Sequence, residues 1–278
     1  MKLKNALISL CATASLVACN SISSNTNSGS AANLSTGQTE ATVVFIHGAH
    51  LRGAAWQPVA SELKKAQVTP HIIDLPGRDK KVAPKTITLS HAADALCKRT
   101  QDLPQPQVWV MHSQGGAVAH KALASCNQVE VNHLIYVSAV APVEGAKPFA
   151  LLNKDDENNY FKGVTYEGGW MKITNQSEYI TAFTNTNSKS LQAQIWSQSV
   201  DEPAVTGEGK VYLNKAKLNA IPKSYVFAKE DKIISYATQQ KIAESIGATQ
   251  TYHIESGHLP MITQPVALAD AIKSALAL

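Results

Sequence analysis

The chain has 278 residues and a formal net charge of +4 at pH 7. No basic run is longer than the pair Lys80-Lys81, so the charge gives no support for a nucleic-acid partner, which normally requires a basic patch or stripe. Apolar residues make up 44% of the chain, which suits a soluble core. The length corresponds to one domain of ordinary size, or to one domain with an inserted subdomain.

Residues 1–18 have the pattern of a secretory signal peptide. Lys2 and Lys4 form a basic start, and an apolar stretch follows over residues 6–18. This stretch is shorter than the roughly 20 apolar residues that a membrane-spanning helix requires. We therefore exclude these residues from the predicted fold.

The end of the apolar stretch, Leu16-Val17-Ala18-Cys19, resembles the lipobox of bacterial lipoproteins. The resemblance implies cleavage before Cys19 and lipidation of its thiol. It also implies a lipid-anchored protein of the bacterial cell envelope, with its domain in the periplasm or at the cell surface. Asn20 at the next position favours the outer membrane in such signals. A plain signal peptide that ends in a chance cysteine is the alternative.

Residues 19–40 are predicted to form a lipidated flexible tether. They consist mostly of Ser, Asn, Thr, Gly and Ala, and so few large apolar side chains cannot offset the entropy lost on ordering. The folded domain is expected over residues 41–278.

From residue 41 onward, short apolar strands alternate with segments of helical spacing. This alternation indicates a mostly parallel sheet covered by helices on both faces. In such sheets, functional sites lie beyond the carboxyl ends of the strands. The predicted strands are residues 42–47, 71–75, 107–112, 131–137, 223–228 and 250–254, and the predicted helices are residues 56–66, 89–100, 114–125, 235–246 and 265–277.

The alternation stops between about residues 142 and 213. This segment is polar, yet it holds more than half of the chain's Phe, Tyr and Trp residues. We interpret it as an inserted cap that covers an apolar pocket. An ordinary subdomain that uses aromatic side chains as its own core is the alternative.

Residues 108–116 read Val-Trp-Val-Met-His-Ser-Gln-Gly-Gly, the pattern of a nucleophile elbow. In such an elbow a strand turns sharply into a helix and exposes one serine hydroxyl, here that of Ser113. The elbow pattern G-x-S-x-G has its second glycine in Gly115, whereas Met111 occupies the first glycine position. Ser113 is therefore the predicted nucleophile, with one departure from the pattern.

A serine nucleophile needs a histidine base that a carboxylate orients. His258 follows the strand predicted over 250–254 and precedes the last helix, and the glycine before it permits a tight turn. Asp231 and Glu230 both follow the strand predicted over 223–228, and their neighbours favour Asp231. The order Ser113, Asp231, His258 is the order of α/β-hydrolases.

The oxyanion of such a reaction is stabilised by backbone N–H donors. One donor is expected from Gln114, directly after the nucleophile. The other is expected from Ala49, in the loop that follows the first predicted strand.

The chain resembles the α/β-hydrolase superfamily, and within it the branch of esterases related to plant methylesterases and hydroxynitrile lyases. The resemblance implies an α/β-hydrolase fold and a serine hydrolase that cleaves carboxylic esters. Nitrile lyases of this branch carry a lysine directly after the catalytic histidine, where this chain has Leu259, which favours ester hydrolysis. The matching segments are His47-Gly48-Ala49 with Ala55-Trp56, Asp74-Leu75, His112-Ser113-Gln114-Gly115-Gly116, Lys229-Glu230-Asp231-Lys232 and His258-Leu259-Pro260-Met261.

The predicted function is hydrolysis of carboxylic esters of small or medium apolar substrates through an acyl-enzyme on Ser113. The expected partner is a small-molecule ester, without a cofactor. No metal site is expected, because His47 and His50 lie three residues apart without a further cluster of ligands. The alternative is a catalytically inactive binding protein with a hydrolase fold at the bacterial envelope.

Two cysteines, Cys97 and Cys126, remain in the predicted folded domain. Each lies at the end of a predicted helix, and the two helices flank the strand that carries Ser113. An oxidising periplasm would allow a disulfide, and two separate buried thiols are the alternative.

Overall fold

The computed structural model describes residues 41–277. The predicted signal peptide, the lipidation site Cys19 and the tether over residues 19–40 lie outside the described residues. Within the described part of the chain, no helix has both the length and the apolar character needed to cross a membrane.

Strands and helices alternate along the described chain. The strands are β1 (Thr42–Ile46), β2 (Thr69–Ile73), β3 (Gln107–Ser113), β4 (Val131–Ala139), β5 (Val164–Glu167), β6 (Trp170–Ile173), β7 (Glu202–Pro203), β8 (Lys223–Ala228) and β9 (Gln250–Ile254). The helices are α1 (Gln57–Lys64), α2 (Leu89–Thr100), α3 (Gly115–Ser125), α4 (Lys154–Tyr160), α5 (Gln176–Phe183), α6 (Lys189–Gln198), α7 (Lys215–Ala220), α8 (Tyr236–Ser245), α9 (Pro260–Thr263) and α10 (Pro265–Ala275).

The central sheet has six strands in the order β2-β1-β3-β4-β8-β9. Each pairing in this sheet is parallel. Strands β1, β3 and β8 are buried along their whole length, as expected when helices cover both faces of a parallel sheet. The predicted α/β-hydrolase fold with a mostly parallel sheet is confirmed.

The second strand begins earlier than the sequence pattern predicts. It runs over Thr69–Ile73 rather than over residues 71–75, because it pairs with β1 residue by residue and ends beside Ile46. The next two residues, Asp74 and Leu75, lie outside the strand and make other contacts. The Asp74 carboxylate accepts a hydrogen bond from the Gly53 N–H at 2.6 Å, and the Leu75 N–H donates to His47 Nε2 at 3.0 Å.

The segment between β4 and β8 (residues 140–222) contains α4 to α7 and a small antiparallel sheet in the order β5-β6-β7. We call it the β4–β8 segment. Its contacts to α8 include buried polar ones. Buried Asp156 of α4 accepts hydrogen bonds from the Thr238 hydroxyl at 2.6 Å and from the Ser235 N–H at 3.0 Å. The cap boundaries at about residues 142 and 213 stay a prediction.

A disulfide joins Cys97 of α2 to Cys126, the residue that follows α3. The two Cα atoms lie 5.8 Å apart, and the cysteines are separated by 29 residues in the chain. The bridge therefore fastens the far end of the helix that begins just after Ser113. The stretch of chain between the two cysteines contains β3.

We predict that the disulfide stabilises the fold by limiting the freedom of the unfolded chain. Exchange of Cys97 and Cys126 for serine should lower the free energy of unfolding by about 2–4 kcal/mol, measured by urea denaturation. Dithiothreitol should lower the unfolding midpoint of the wild-type protein and leave that of the double variant unchanged. A midpoint that responds equally in both proteins would contradict the prediction.

Candidate active site

Ser113 is the last residue of β3, and α3 begins two residues later. Its backbone has φ = +50°, in the left-handed region that residues other than glycine rarely adopt. Such strain persists only where the surrounding structure holds it. The structure thus has the strand–turn–helix geometry of a nucleophile elbow, with Ser113 at its apex.

Three glycines allow the close approaches around this turn. A Cβ atom on Gly116 would lie 2.0 Å from the Val140 carbonyl oxygen, and one on Gly115 would lie 2.7 Å from that of Ile46. A Cβ atom on Gly48 would lie 2.6 Å from the Ser113 Cβ. Any side chain at these positions would push α3 or the loop after β1 away from Ser113.

Met111 occupies the first glycine position of the elbow pattern and is fully buried in the core. It lies in register with Ile46 on one side and with Tyr136 on the other. The tight contacts at the turn fall on Gly48, Gly115 and Gly116 instead. The departure from the pattern is therefore accommodated within the packing of the sheet.

The structure brings the three predicted triad residues together. Ser113 Oγ lies 3.0 Å from His258 Nε2, and His258 Nδ1 lies 2.6 Å from Asp231 Oδ2. All three residues are buried. Asp231 follows β8 and His258 lies between β9 and α9, so each stands beyond the carboxyl end of a parallel strand, as the sequence pattern predicts.

The Asp231 carboxylate accepts four hydrogen bonds. Oδ1 accepts the N–H groups of Ile233 at 2.7 Å and Ile234 at 3.0 Å. Oδ2 accepts His258 Nδ1–H and the Ser138 hydroxyl. Together these hydrogen bonds leave the carboxylate little freedom to rotate.

Sequence reasoning missed Ser138, the penultimate residue of β4, whose hydroxyl donates to Asp231. Its backbone also has a positive φ of +39°, so the carboxyl end of β4 is strained like the elbow. A serine near the carboxyl end of a buried strand was the available signal. It was not used because nothing in the linear sequence brings Ser138 next to Asp231.

Sequence reasoning also missed the role of His112. Its Nε2–H donates to the His258 carbonyl oxygen at 2.8 Å, and the two rings lie 4.6 Å apart between centroids. Burial holds the pKa of His112 well below its usual value, so the ring stays neutral. His112 therefore supports the loop that presents His258.

Ala49 and Gln114 lie beside Ser113 and line the same cavity. Among residues 41–277, neither backbone N–H has a hydrogen-bond acceptor. Two unpaired N–H donors beside a serine hydroxyl are the arrangement that an oxyanion hole requires.

The cavity above Ser113 has a volume of about 390 Å³. Most of its wall comes from the β4–β8 segment, and the remainder from Ala49 in the loop after β1, from the elbow and from the loop after β8. An exposed ion pair between Lys147 and Glu208 stands among the lining residues. The large apolar side chains of the wall include Val140, Phe149, Leu152, Phe161, Met171, Ile233 and Ile234.

The sequence of the chain matches the alpha/beta hydrolase family over residues 43–271. The match includes every strand of the central sheet except the first residue of β1. The chain belongs to the alpha/beta hydrolase family.

Curated relatives of this alpha/beta hydrolase include two pimeloyl-[acyl-carrier protein] methyl ester esterases. The protein from Vibrio cholerae is 31% identical over 144 residues, which are 51% of this chain and 45% of that protein. The chain thus spans less than half of that relative. The protein from Vibrio vulnificus is 23% identical over 265 residues, which cover 84% of this chain and 92% of that protein.

Among solved structures, an extracellular alpha/beta-hydrolase from a Paenibacillus species has the same fold. The TM-score is 0.72 at 21% sequence identity, and the match covers 84% of this chain and 98% of that chain. Together with the family match, the esterase relatives support an ester-hydrolysing enzyme.

No group of three or more His, Cys, Asp or Glu side chains within residues 41–277 is arranged to hold a metal ion. His47 and His50, three residues apart, bind protein groups. His47 Nε2 accepts the Leu75 N–H. One ring nitrogen of His50 lies 3.0 Å from the Val200 carbonyl oxygen, and the other lies 2.9 Å from the Tyr160 hydroxyl.

Several histidines of this hydrolase are buried in the neutral form. Burial lowers the pKa of His47 to about 3 and that of His50 to about 4. Burial also lowers the pKa of His120, which is bonded to Tyr136 at 2.6 Å, to about 3. In the unfolded chain these groups would take up protons near the ordinary histidine value of 6.5.

We predict that the protein loses stability as the pH falls from about 6.5 toward 4. Over that range the unfolded chain binds more protons than the folded one. Each such histidine therefore lowers the free energy of unfolding by about 1.4 kcal/mol for each pH unit of the fall. Urea denaturation across this pH range measures the effect. The variant His120→Gln, which cannot titrate, should show a shallower dependence than the wild type. Equal slopes in the two proteins would contradict the assignment.

Proposed function

We propose that this alpha/beta hydrolase is a serine esterase that cleaves carboxylic esters of small or medium apolar substrates through an acyl-enzyme. The observation that carries the proposal is the continuous hydrogen-bonded chain from Ser113 through His258 to Asp231 at the wall of an apolar cavity. The two unpaired N–H groups of Ala49 and Gln114 beside Ser113 support it further.

The tautomer of His258 follows from its partners. The Asp231 carboxylate only accepts hydrogen bonds, so the His258 proton resides on Nδ1 and is donated to Asp231. Nε2 is then left with a lone pair that faces the Ser113 hydroxyl at 3.0 Å. His258 is thereby oriented as a base toward Ser113.

In the proposed first step, Ser113 Oγ bonds to the ester carbonyl carbon while its proton moves to His258 Nε2. The carbonyl oxygen becomes the oxyanion and accepts hydrogen bonds from the N–H groups of Ala49 and Gln114. The ester C–O bond then breaks, and His258 returns its proton to the leaving alcohol. Water attacks the acyl-enzyme in the same way, and release of the carboxylic acid regenerates Ser113.

The cavity supports an apolar substrate of limited size. Its wall is mainly aliphatic and aromatic, and its volume of about 390 Å³ lies near the lower end of the range for small-molecule sites. The Vibrio relatives are methyl ester esterases by name. Methyl esters, whose alcohol portion is methanol, are accordingly the first substrates to test. The apolar wall would then receive the acyl portion.

The proposal is tested by the variant Ser113→Ala. We expect the wild-type protein to hydrolyse short p-nitrophenyl and methyl esters and to react covalently with a fluorophosphonate probe. Ser113→Ala should lose the labelling and should lower kcat by about 10⁴-fold or more.

The matched control is Ser125→Ala, which removes an exposed serine at the far end of α3, the helix that follows Ser113. This variant should leave both readouts unchanged. A folded wild-type protein that shows neither labelling nor ester hydrolysis would instead favour the inactive binding protein.

We also propose that the protein is a lipoprotein of the bacterial envelope, anchored through Cys19. The disulfide between Cys97 and Cys126 supports an oxidising compartment. Expressed in a bacterium with radiolabelled palmitate, the full chain should acquire label and sediment with membranes. The variant Cys19→Ser should acquire no label. A wild-type protein that is exported without label would support the plain signal peptide instead.

A further inference from the structure

A buried polar cluster adjoins the cavity, and the proposed mechanism does not use it. It centres on Glu202 of β7, whose side chain is 2% exposed, and Arg78, whose side chain is 5% exposed. Arg78 Nη2 lies 2.9 Å from Glu202 Oε2. We call Glu202, Arg78, His50, Thr206 and the Gln114 side chain the Glu202 cluster.

Burial of the ion pair alone is weak evidence for a stabilising role. Removal of two charges from water costs several kcal/mol per ion, and apolar residues of similar volume often stabilise a protein as well or better. Burial raises the pKa of Glu202, and the nearby Arg78 guanidinium opposes that shift. The carboxylate is therefore costly to bury at this position.

One oxygen of Glu202 holds the loop after β1. Glu202 Oε2 accepts the backbone N–H of His50 at 3.2 Å, and His50 directly follows Ala49. The hydrogen bond acts on the peptide group that joins Ala49 to His50. Arg78 also holds the loop after β1, because its Nε–H donates to the Leu51 carbonyl oxygen at 3.2 Å.

His50 itself is strained and held by the β4–β8 segment. Its φ of +60° lies in the left-handed region, which costs a residue other than glycine about 1–3 kcal/mol. Its carbonyl oxygen accepts the Val200 N–H at 2.9 Å. Its ring donates from Nδ1 to the Val200 carbonyl oxygen and accepts at Nε2 from the Tyr160 hydroxyl.

The other oxygen of Glu202 connects to the second side of the site. Glu202 Oε1 lies 2.9 Å from the Thr206 hydroxyl, whose single proton is shared between this oxygen and the Pro203 carbonyl oxygen at 2.7 Å. Thr206 Oγ1 in turn accepts Nε2–H of the Gln114 side chain at 2.8 Å. Each carboxylate oxygen thus leads to one of the two residues proposed to form the oxyanion hole.

We infer that Glu202 is a positioning residue for the oxyanion hole, and that it aligns Ala49 through His50 and Gln114 through Thr206. The inference rests on the proposed esterase function, since an oxyanion forms only if Ser113 attacks a carbonyl group. Glu202 lines the cavity, but among the described residues it makes no hydrogen bond to Ser113 or His258. Its effect should therefore fall on the transition state and leave ground-state binding almost unchanged.

The test compares Glu202→Gln and Glu202→Leu with the matched controls Glu167→Gln and Glu167→Leu. Glu167 belongs to the same small sheet, and its side chain is 66% exposed and paired with Lys172. The readouts are kcat and KM for p-nitrophenyl acetate, and the inhibition constant of a trifluoromethyl ketone, which forms a tetrahedral adduct on the serine.

We expect Glu202→Leu to lower kcat by about 10²-fold, the order that one misplaced oxyanion donor costs. Its KM should change less than about threefold, while the ketone should bind more weakly by about the same factor as kcat falls. Glu202→Gln keeps an acceptor for the His50 N–H and should lose less. Both Glu167 variants should match the wild type.

A second pair of variants tests the same inference without leaving Arg78 unpaired. Asparagine adopts left-handed backbone more readily than other residues with a side chain, so His50→Asn should keep more of kcat than His50→Ala. Both lose the ring contacts and both keep the Glu202 acceptor. Thermal unfolding monitored by circular dichroism establishes that each variant is folded at the assay temperature.

The outcomes separate the inference from the proposed function. Wild-type activity that Ser113→Ala abolishes, together with Glu202→Leu and His50→Ala proteins that keep wild-type kcat and ketone affinity, would overturn the inference alone. A rise in KM with unchanged kcat in these variants would also overturn it, because the cluster would then bind substrate rather than align the N–H donors. Absence of activity in the wild type would overturn the proposed function and the inference with it.

Discussion

The left-handed backbone at Ser113 is the constraint around which the site is built. It holds the hydroxyl at the apex of a turn only because α3 begins close against the ends of two strands. The space for that approach is small, since a Cβ atom on Gly116 would meet the Val140 carbonyl oxygen at 2.0 Å. The position of α3 is fixed by the disulfide at its far end and by packing against the buried strands beside β3. The backbone geometry at Ser113 thus depends on the packing of the sheet around it.

The site is completed by elements that are far apart in sequence. Asp231 and His258 come from loops after β8 and β9, while Ser138 supports Asp231 from the end of β4. The parallel sheet brings these loops to one edge, because all its strands end there. The β4–β8 segment then supplies the apolar wall and the carboxylate of Glu202 behind the loop after β1.

The fold and the three residues of the hydrogen-bonded chain follow from local patterns. Short apolar strands, an elbow sequence around Ser113, and an acid and a histidine after successive strands are all visible in the sequence. Ser138 and Glu202 are not, because a serine or a glutamate has no local signature of burial. Their contacts span 93 and 152 residues, and only the folded chain brings such residues together. The early start of β2 was missed for a similar reason, since pairing with β1 sets its ends.

The buried histidines show why His258 differs from its neighbours. His112 donates one ring nitrogen to a backbone carbonyl group, and His47 accepts a backbone N–H, so both rings serve to hold loops in place. His50 does the same within the Glu202 cluster. Only His258, among these four, lies between a carboxylate and a serine hydroxyl. Because burial keeps His47, His50 and His112 neutral, these histidines support the loops around His258 without adding a positive charge beside it.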